Sequence, residues 1–345
     1  MAEQVKYLYG PVASRRLGLS LGVDIVPFKV CTLDCVYCQL GGTTNKTTER
    51  ADYVSAQTVV AELKQKLAHD LWADFITVGG SGEPTLNSHL GEIIDGIKKI
   101  TDIPAAVLTN GTLLFRPDVR KDCAKADVVL PSLDAGDKQS FEEINCPHKD
   151  ILIENLISGL CDFRNEFAGQ IWLEVFLVEG LNTNARQIGL IKNIIERIRP
   201  DKVHLNTAVR PTAQVDIKKV GLEKMEAIAT NLGGNCEVVT DFTPARYGER
   251  LSRHASDEVG PTAGSRTSSS FDSPPNGDSD KLGTLLSMLK RRPCSLNDIC
   301  SSLCVHRNEA LKYVTALQQQ EVVKSFEKDG IIFFKSIRRQ IKTEQ

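Results

Sequence analysis

The chain has 345 residues, 41% apolar and 25% charged, the balance of a globular protein whose core is large enough to need no disulfides. Its net charge is −2, no apolar run reaches the roughly 20 residues of a bilayer span, and MAEQVKYLYG lacks the basic-then-apolar pattern of a signal peptide. Ten cysteines without an export signal imply a reducing compartment, the cytoplasm, where clustered thiols bind metal or do chemistry more often than they pair.

In chain order, LGVDIVPF (21–28) reads as a strand running into a cysteine-rich loop. SAQTVVAELKQKLAHD (55–70) is an amphipathic helix with Ser55 as N-cap. DFITVGG is a strand and LGEIIDGIKKI a helix; PAAVLTNGT, VVLPSLDA, IWLEVFLVEG and KVHLNTAV follow as strands, most separated by helical segments, of which RQIGLIKNIIERI (186–198) is the clearest. About six β-α units in series imply parallel strands with right-handed crossovers. Such a series forms either an open doubly wound sheet or a full or partial barrel, and periodicity alone does not choose between them. In both, functional residues gather at the C-terminal strand ends. Those ends carry GGSGEP (79–84), TNGT (109–112), SLD (132–134), EGLN (179–182) and NT (206–207), all polar or glycine-rich.

The loop CTLDCVYC places Cys31, Cys35 and Cys38 in the spacing C-x3-C-x2-C. Thiolates are soft ligands that favour zinc, copper(I) or iron-sulfur clusters. A 4Fe-4S cluster takes four thiolates; with three, one iron is left open for a substrate or cofactor. A zinc site with a distant fourth ligand, or three incidental core cysteines, stands as the alternative, although zinc sites favour paired C-x2–4-C knuckles.

The three cysteines, with Tyr37 before the last, resemble the signature of the radical S-adenosylmethionine (radical SAM) superfamily, and the segment 79–84 resembles its glycine-Glu hallmark. YGPVASRRLGLSLGVDIVP, CVYCQLG, GSGEPTL, LTNGTL, PSLDA and VEGLN are similar to the Fe-S oxidoreductase group related to the wyosine-synthesising enzymes of tRNA, over roughly residues 7 to 245. The resemblance implies a partial (β/α)6 TIM-like barrel. It implies a 4Fe-4S cluster on Cys31, Cys35 and Cys38, with S-adenosylmethionine chelating the fourth iron through its amino and carboxylate groups. Reductive cleavage of the sulfonium would yield a 5′-deoxyadenosyl radical that abstracts hydrogen from a substrate, with flavodoxin or ferredoxin as electron donor. Carried residue by residue, Gly79 and Gly80 let backbone approach the methionyl group, and Glu83 meets its ammonium. Tyr37 packs by the adenine, Asn110 and Ser132 reach ribose or carboxylate, and Asn182 adenine or ribose. Asp134, Asn206 and Arg210 are further candidates for cofactor or substrate contact. Arg15 and Arg16 are expected either to neutralise cluster or substrate charge or to form salt bridges to the acidic body.

ASDEVGPTAGSRTSSSFDSPPNGDSD (255–280) has almost nothing to bury and reads as a flexible linker. It separates a barrel domain, 1–254, from a small domain, 281–345, in which 12 basic and 6 acidic residues give a basic balance against an acidic remainder. That segment reads helix, helix, helix and two short strands, and it resembles a winged helix. Arg307, Asn308, Lys312 and Tyr313 are its expected exposed positions, for a nucleic-acid or protein partner. Cys294, Cys300, Cys304 and His306 form C-x5-C-x3-C-x-H there, though core cysteine is common at such helical spacing. Cys123, Cys146, Cys161 and Cys236 are scattered, with Cys146 expected near the barrel mouth, and His204 reads as a core histidine. Two functions of different class follow: a radical SAM enzyme of unidentified substrate, or an iron-sulfur redox sensor acting on DNA without catalysis. A sensor needs no S-adenosylmethionine pocket.

Overall fold

In the computed structural model, the described residues are 7–68, 72–239, 278–303 and 305–337. The chain divides into two compact units, Met1–Val12 with Leu19–Thr240, and Ala13–Gly18 with Asp241–Gln345.

The first unit is built on a sheet with strands β1 (Leu8–Ser14), β2 (Gly18–Asp24), β5 (Phe75–Gly79), β6 (Ala105–Leu108), β7 (Val128–Leu130), β8 (Gln170–Leu177), β9 (Lys202–Thr207) and β10 (Cys236–Val238), in that spatial order. From β2 onward every neighbouring pair is parallel. Helices α1 (Ala56–Leu67), α2 (Leu90–Lys98), α3 (Pro117–Cys123), α4 (Lys138–Asn145), α5 (Ile153–Glu166), α6 (Ala185–Ile198) and α7 (Leu222–Leu232) fill the crossovers. The strand order never reverses, so right-handed crossovers put all the helices on one face, as in a barrel wall. A doubly wound sheet would reverse at a switch point. Among the described residues, six β-α units and two unjoined edges make this a parallel-strand α/β fold, a barrel only in part.

The pattern of burial explains the elements. Leu21, Val23, Ile76, Val78, Val107 and Val129 are all fully or almost fully buried, as expected of parallel strands covered on both faces. Helix α6 buries Ile188, Ile191, Ile195 and Ile198 at helical spacing. Its N-cap Asn184 accepts from the Gln187 N–H at 3.0 Å, and Arg199 at φ 56° ends it. Ser55 caps α1, as its sequence predicts. Several strands stop short of the expected ends. β6 leaves the ladder after Leu108, where Thr109 and Asn110 turn to bond Glu83, and β7 ends at Leu130, before Pro131, with an isolated bridge from Ser132 to Glu174 beyond it. Strands β1 and β10 have no counterpart in the sequence reading, nor do the two-residue strands β3 (Val30–Cys31) and β4 (Asn45–Lys46), which pair within the cysteine loop.

In the second unit the described elements are α8 (Asp278–Arg291), β11 (Cys294–Ser295), α9 (Leu296–Leu303), α10 (Arg307–Gln319), β12 (Val323–Lys328) and β13 (Ile331–Ser336). The three strands form one sheet in the order β11-β13-β12. The expected linker lies outside the described residues except for its last three positions, which open α8. Tyr313 is a correction: it is buried, not exposed, because it shares the inner stripe of α10 with Ala310, Val314 and Leu317. Its hydroxyl donates to Glu309 at 2.8 Å. Arg307, Asn308 and Lys312 are exposed.

Candidate functional site

The loop that follows β2 carries all three cysteines, and it is stitched to the C-terminal ends of the neighbouring strands. Lys29 N–H donates to the Ser81 carbonyl at 2.6 Å, and Glu83 N–H to the Val30 carbonyl at 3.0 Å. Thr32 and Thr112 hydroxyls meet at 2.7 Å, and Asp34 and Val36 N–H groups bond the end of α4 at Asn145 and Ile144. Gln214, from the β9–α7 loop, donates to the Val36 carbonyl at 3.0 Å. The strand-end segments 79–84, 109–112 and 132–134 therefore meet the cysteine loop directly, the last through the Tyr37 hydroxyl on Asp134.

Cys31, Cys35 and Cys38 are free and half-buried. Each sulfur has a side-chain N–H donor: Asn110 Nδ2 lies 3.6 Å from Cys31 Sγ, Asn145 Nδ2 3.5 Å from Cys35 Sγ, and Lys29 Nζ 3.1 Å from Cys38 Sγ. Burial, with the Glu83 carboxylate second, pushes the Cys31 thiol up to about 11. Burial and then Asp134 hold Cys35 well above the ordinary thiol range. Among the described residues no three His, Cys, Asp or Glu side chains converge as ligands of a single ion would.

Glu83 is 2% exposed and works as a brace between strand ends. Its Oε1 accepts from Thr85 N–H (3.1 Å), Thr85 Oγ1 (2.6 Å) and Thr109 Oγ1 (2.6 Å), and its Oε2 from Asn110 N–H (2.7 Å). Burial raises its carboxyl above the ordinary range against the pull of these donors. Asn110 spends its side chain on Thr32 and Thr112 as well as on Cys31. Tyr37 points inward: its ring stacks on Phe176 at 3.8 Å and its hydroxyl donates to Asp134. Asp134 also accepts from Asn145 and from the Phe176 N–H, so a bonded chain runs from Tyr37 through Asp134 and Asn145 to Cys35. Asn182 is fully buried. Its oxygen takes the Val178 N–H and its nitrogen donates to the Asp134 and Phe176 carbonyls, each at 2.8 Å. A nucleoside contact from that amide would break those bonds, so Asn182 holds the end of β8 instead. Ser132 is half-buried, bridged to Glu174. Asn206 and Arg210 are buried at and beyond the end of β9.

The close backbone approach falls on a glycine that the sequence reading passed over. Gly79 ends β5, and Gly80 turns at φ +118° against Asp24. At Gly82, however, a Cβ would lie 2.1 Å from the Val30 carbonyl oxygen, so only glycine lets the two loops touch. Gly82→Ala is expected to cost about 3 kcal/mol by overpacking against backbone and to lower iron retention. Gly189→Ala, where a Cβ meets nothing within 4 Å, should be neutral or stabilise α6 by about 0.5–1 kcal/mol. Equal urea midpoints for the two variants would refute the close-approach account.

Other candidates fall outside this cluster. Arg15 and Arg16 form the turn that enters β2, at the strand end opposite the cysteine loop. His204 is buried against Trp172, with Nε2 2.8 Å from Glu237. Cys146, as expected, borders the mouth: its carbonyl accepts from Asp34 N–H and Lys46 Nζ. Cys294 is buried and Cys300 half-buried; Cys304 lies outside the described residues.

Residues 25–182 match the model of the radical SAM superfamily. A UPF0026 protein of Methanocaldococcus jannaschii is 34% identical over 222 residues, 64% of this chain and 69% of that protein. The chain belongs to the radical SAM superfamily. A protein of Brachyspira hyodysenteriae named GTPase Obg is 42% identical over 238 residues, 69% of this chain; the chain spans 35% of that protein's length. The crystal structure of Streptococcus suis SuiB bound to precursor peptide SuiA superposes with a TM-score of 0.51 at 16% identity, covering 66% of this chain and 51% of that one. That likeness is one of fold.

As a radical SAM enzyme, its cofactors are a 4Fe-4S cluster and S-adenosylmethionine. The residues present fit the cluster. Three unpaired thiols share one loop, each with an N–H donor of the kind that stabilises thiolate sulfur in iron-sulfur sites. Among the described residues no helix is long and apolar enough to cross a membrane.

Proposed function

We propose that this radical SAM enzyme abstracts hydrogen from a macromolecular substrate, RNA foremost, and that Cys31, Cys35 and Cys38 are its cluster ligands. The observation that carries the reading is the three free thiols at the C-terminal ends of parallel strands, each facing its own N–H donor. When bound, the cluster and S-adenosylmethionine supply a reductive C–S cleavage that generates a 5′-deoxyadenosyl radical. The chain's own part is to hold the loops that receive them. Glu83, Asn110, Tyr37 and Asn182 spend their side chains on that frame. Contacts to the methionyl and nucleoside groups then come from the backbone of 79–83, including Gly79 and Gly80, and from Ser132, with Asn206 and Arg210 nearer the substrate.

RNA is favoured by the motif likeness to the wyosine-synthesising group and by the basic balance of the C-terminal segment. We read α8 to β13, a helix, a strand, two helices and a hairpin, as a winged helix that recruits the substrate across the linker 255–280. A flavodoxin or ferredoxin in the cytoplasm delivers the electron. The non-catalytic sensor has no support from the fold or the relatives.

Anaerobic incubation with dithionite and S-adenosylmethionine, followed by chromatography, should yield 5′-deoxyadenosine. Truncation at Ala255 should leave iron content and uncoupled cleavage nearly intact while abolishing salt-sensitive RNA retention. Loss of the cluster on truncation would make the C-terminal segment part of the catalytic fold. RNA retention that is absent from the full chain, or insensitive to salt, would move the partner from nucleic acid to protein.

A further inference from the structure

Lys29 lies two residues before Cys31 and has two costly features. It is 2% exposed, and its backbone adopts φ 59°, a left-handed conformation that costs a side-chain-bearing residue of order 1–2 kcal/mol. The conformation is held from several sides. Lys29 N–H donates to Ser81, and its carbonyl accepts from the Thr44 and Asn45 N–H groups at 3.1 and 3.2 Å. The result aims Nζ at Cys38 Sγ, 3.1 Å away. Among the described residues no carboxylate lies within ion-pair distance of that ammonium. A buried amine without a counter-ion is expensive, and strained positions that persist mark function.

The missing counter-charge is one the cluster would bring. Three thiolates on a 4Fe-4S core leave a net negative charge, which one-electron reduction increases. A fixed ammonium against one ligand sulfur favours the more negative, reduced state, and net charge and hydrogen bonds to sulfur are levers on the reduction potential. The amides of Asn110 and Asn145, on the other two sulfurs, are neutral, so Lys29 is the charged member of the trio.

We propose that Lys29 is a positioning residue whose ammonium sets the reduction potential of the cluster through Cys38. The inference rests on Cys31, Cys35 and Cys38 being the ligands, which their own triple replacement tests separately by iron content.

The experiment is a redox titration of the reconstituted full chain, followed by electron paramagnetic resonance, first without S-adenosylmethionine. Lys29→Met and Lys29→Gln should each lower the reduced-to-oxidised ratio at fixed potential by about tenfold or more, a shift of about 59 mV for a one-electron couple. Lys29→Arg should stay within about threefold of the unaltered chain. An unchanged Lys29→Met overturns the proposal, and so does a Lys29→Gln that behaves as the unaltered chain, since a neutral donor would then suffice. A difference seen only after S-adenosylmethionine is added overturns it as well, by making Lys29 a contact to the methionyl carboxylate. Loss of iron from both neutral variants also overturns it, because the ammonium would then be needed to hold the loop.

Discussion

The chain carrying Cys31→Ala, Cys35→Ala and Cys38→Ala together should hold no 4Fe-4S cluster after anaerobic reconstitution, while the unaltered chain holds roughly four irons. The effect is all or none because the site has no local substitute. Of the other described cysteines, Cys123 and Cys294 are buried, Cys161, Cys236 and Cys300 are half-buried within helices or a strand, and Cys146 at the mouth is a single thiol that cannot replace three. The fold should survive, since all three side chains are half-buried at the rim of the core rather than inside it. Far-ultraviolet circular dichroism unchanged from the parent, with iron absent, is the expected pair of readings. Four irons in the triple variant would place the cluster elsewhere and remove the basis for the whole site.

Glu83→Ala should destabilise the chain without cofactor by about 3 kcal/mol, read as a lowered urea midpoint. The carboxylate satisfies two hydroxyls and two backbone N–H groups. The hydroxyls can turn to other acceptors, but the N–H groups of Thr85 and Asn110 cannot, and each orphaned donor costs about 1–3 kcal/mol. Glu83→Gln keeps an acceptor oxygen and should cost less. The pH dependence has a definite sign. Burial raises the folded pKa of this carboxyl above its unfolded value, so its contribution is fully present below the unfolded pKa and is lost as pH rises through the folded one. The advantage of the parent over Glu83→Gln should therefore be greater near about pH 5 than near about pH 8. Weaker S-adenosylmethionine binding with unchanged stability would reject the brace and make Glu83 the direct ammonium contact.

The helices and the order of the strands were legible because burial imposes period. Ser55 announces α1, and the isoleucines of α6 repeat at helical spacing. The cysteine spacing was legible because ligands on one short loop leave a local signature. What the sequence hid was where polar side chains spend their bonds. Tyr37 in the cysteine loop, and Asn110 and Asn182 beyond strand ends, stand where a ligand contact and a loop brace look alike in one dimension. Only the fold shows their donors already taken. Gly82 was passed over because what it touches, Val30, is distant in sequence. Lys29 had a faint signal, the lone basic residue in LGVDIVPFKVC, and its meaning depends on a sulfur nine residues away.

Among the described residues the end strands β1 and β10 do not pair, which leaves two rims of peptide groups that could recruit a strand from another molecule, the usual route to edge-to-edge aggregation. Both rims are poor templates here. β10 has only three residues, too few to register an incoming chain firmly. β1 contains Pro11, which has no N–H to offer. A barrel left open at its seam thus avoids becoming a nucleus for its own polymerisation. Lengthening β10 or replacing Pro11 by a β-branched residue should appear first as lost solubility on concentration, before any change at the cysteine loop.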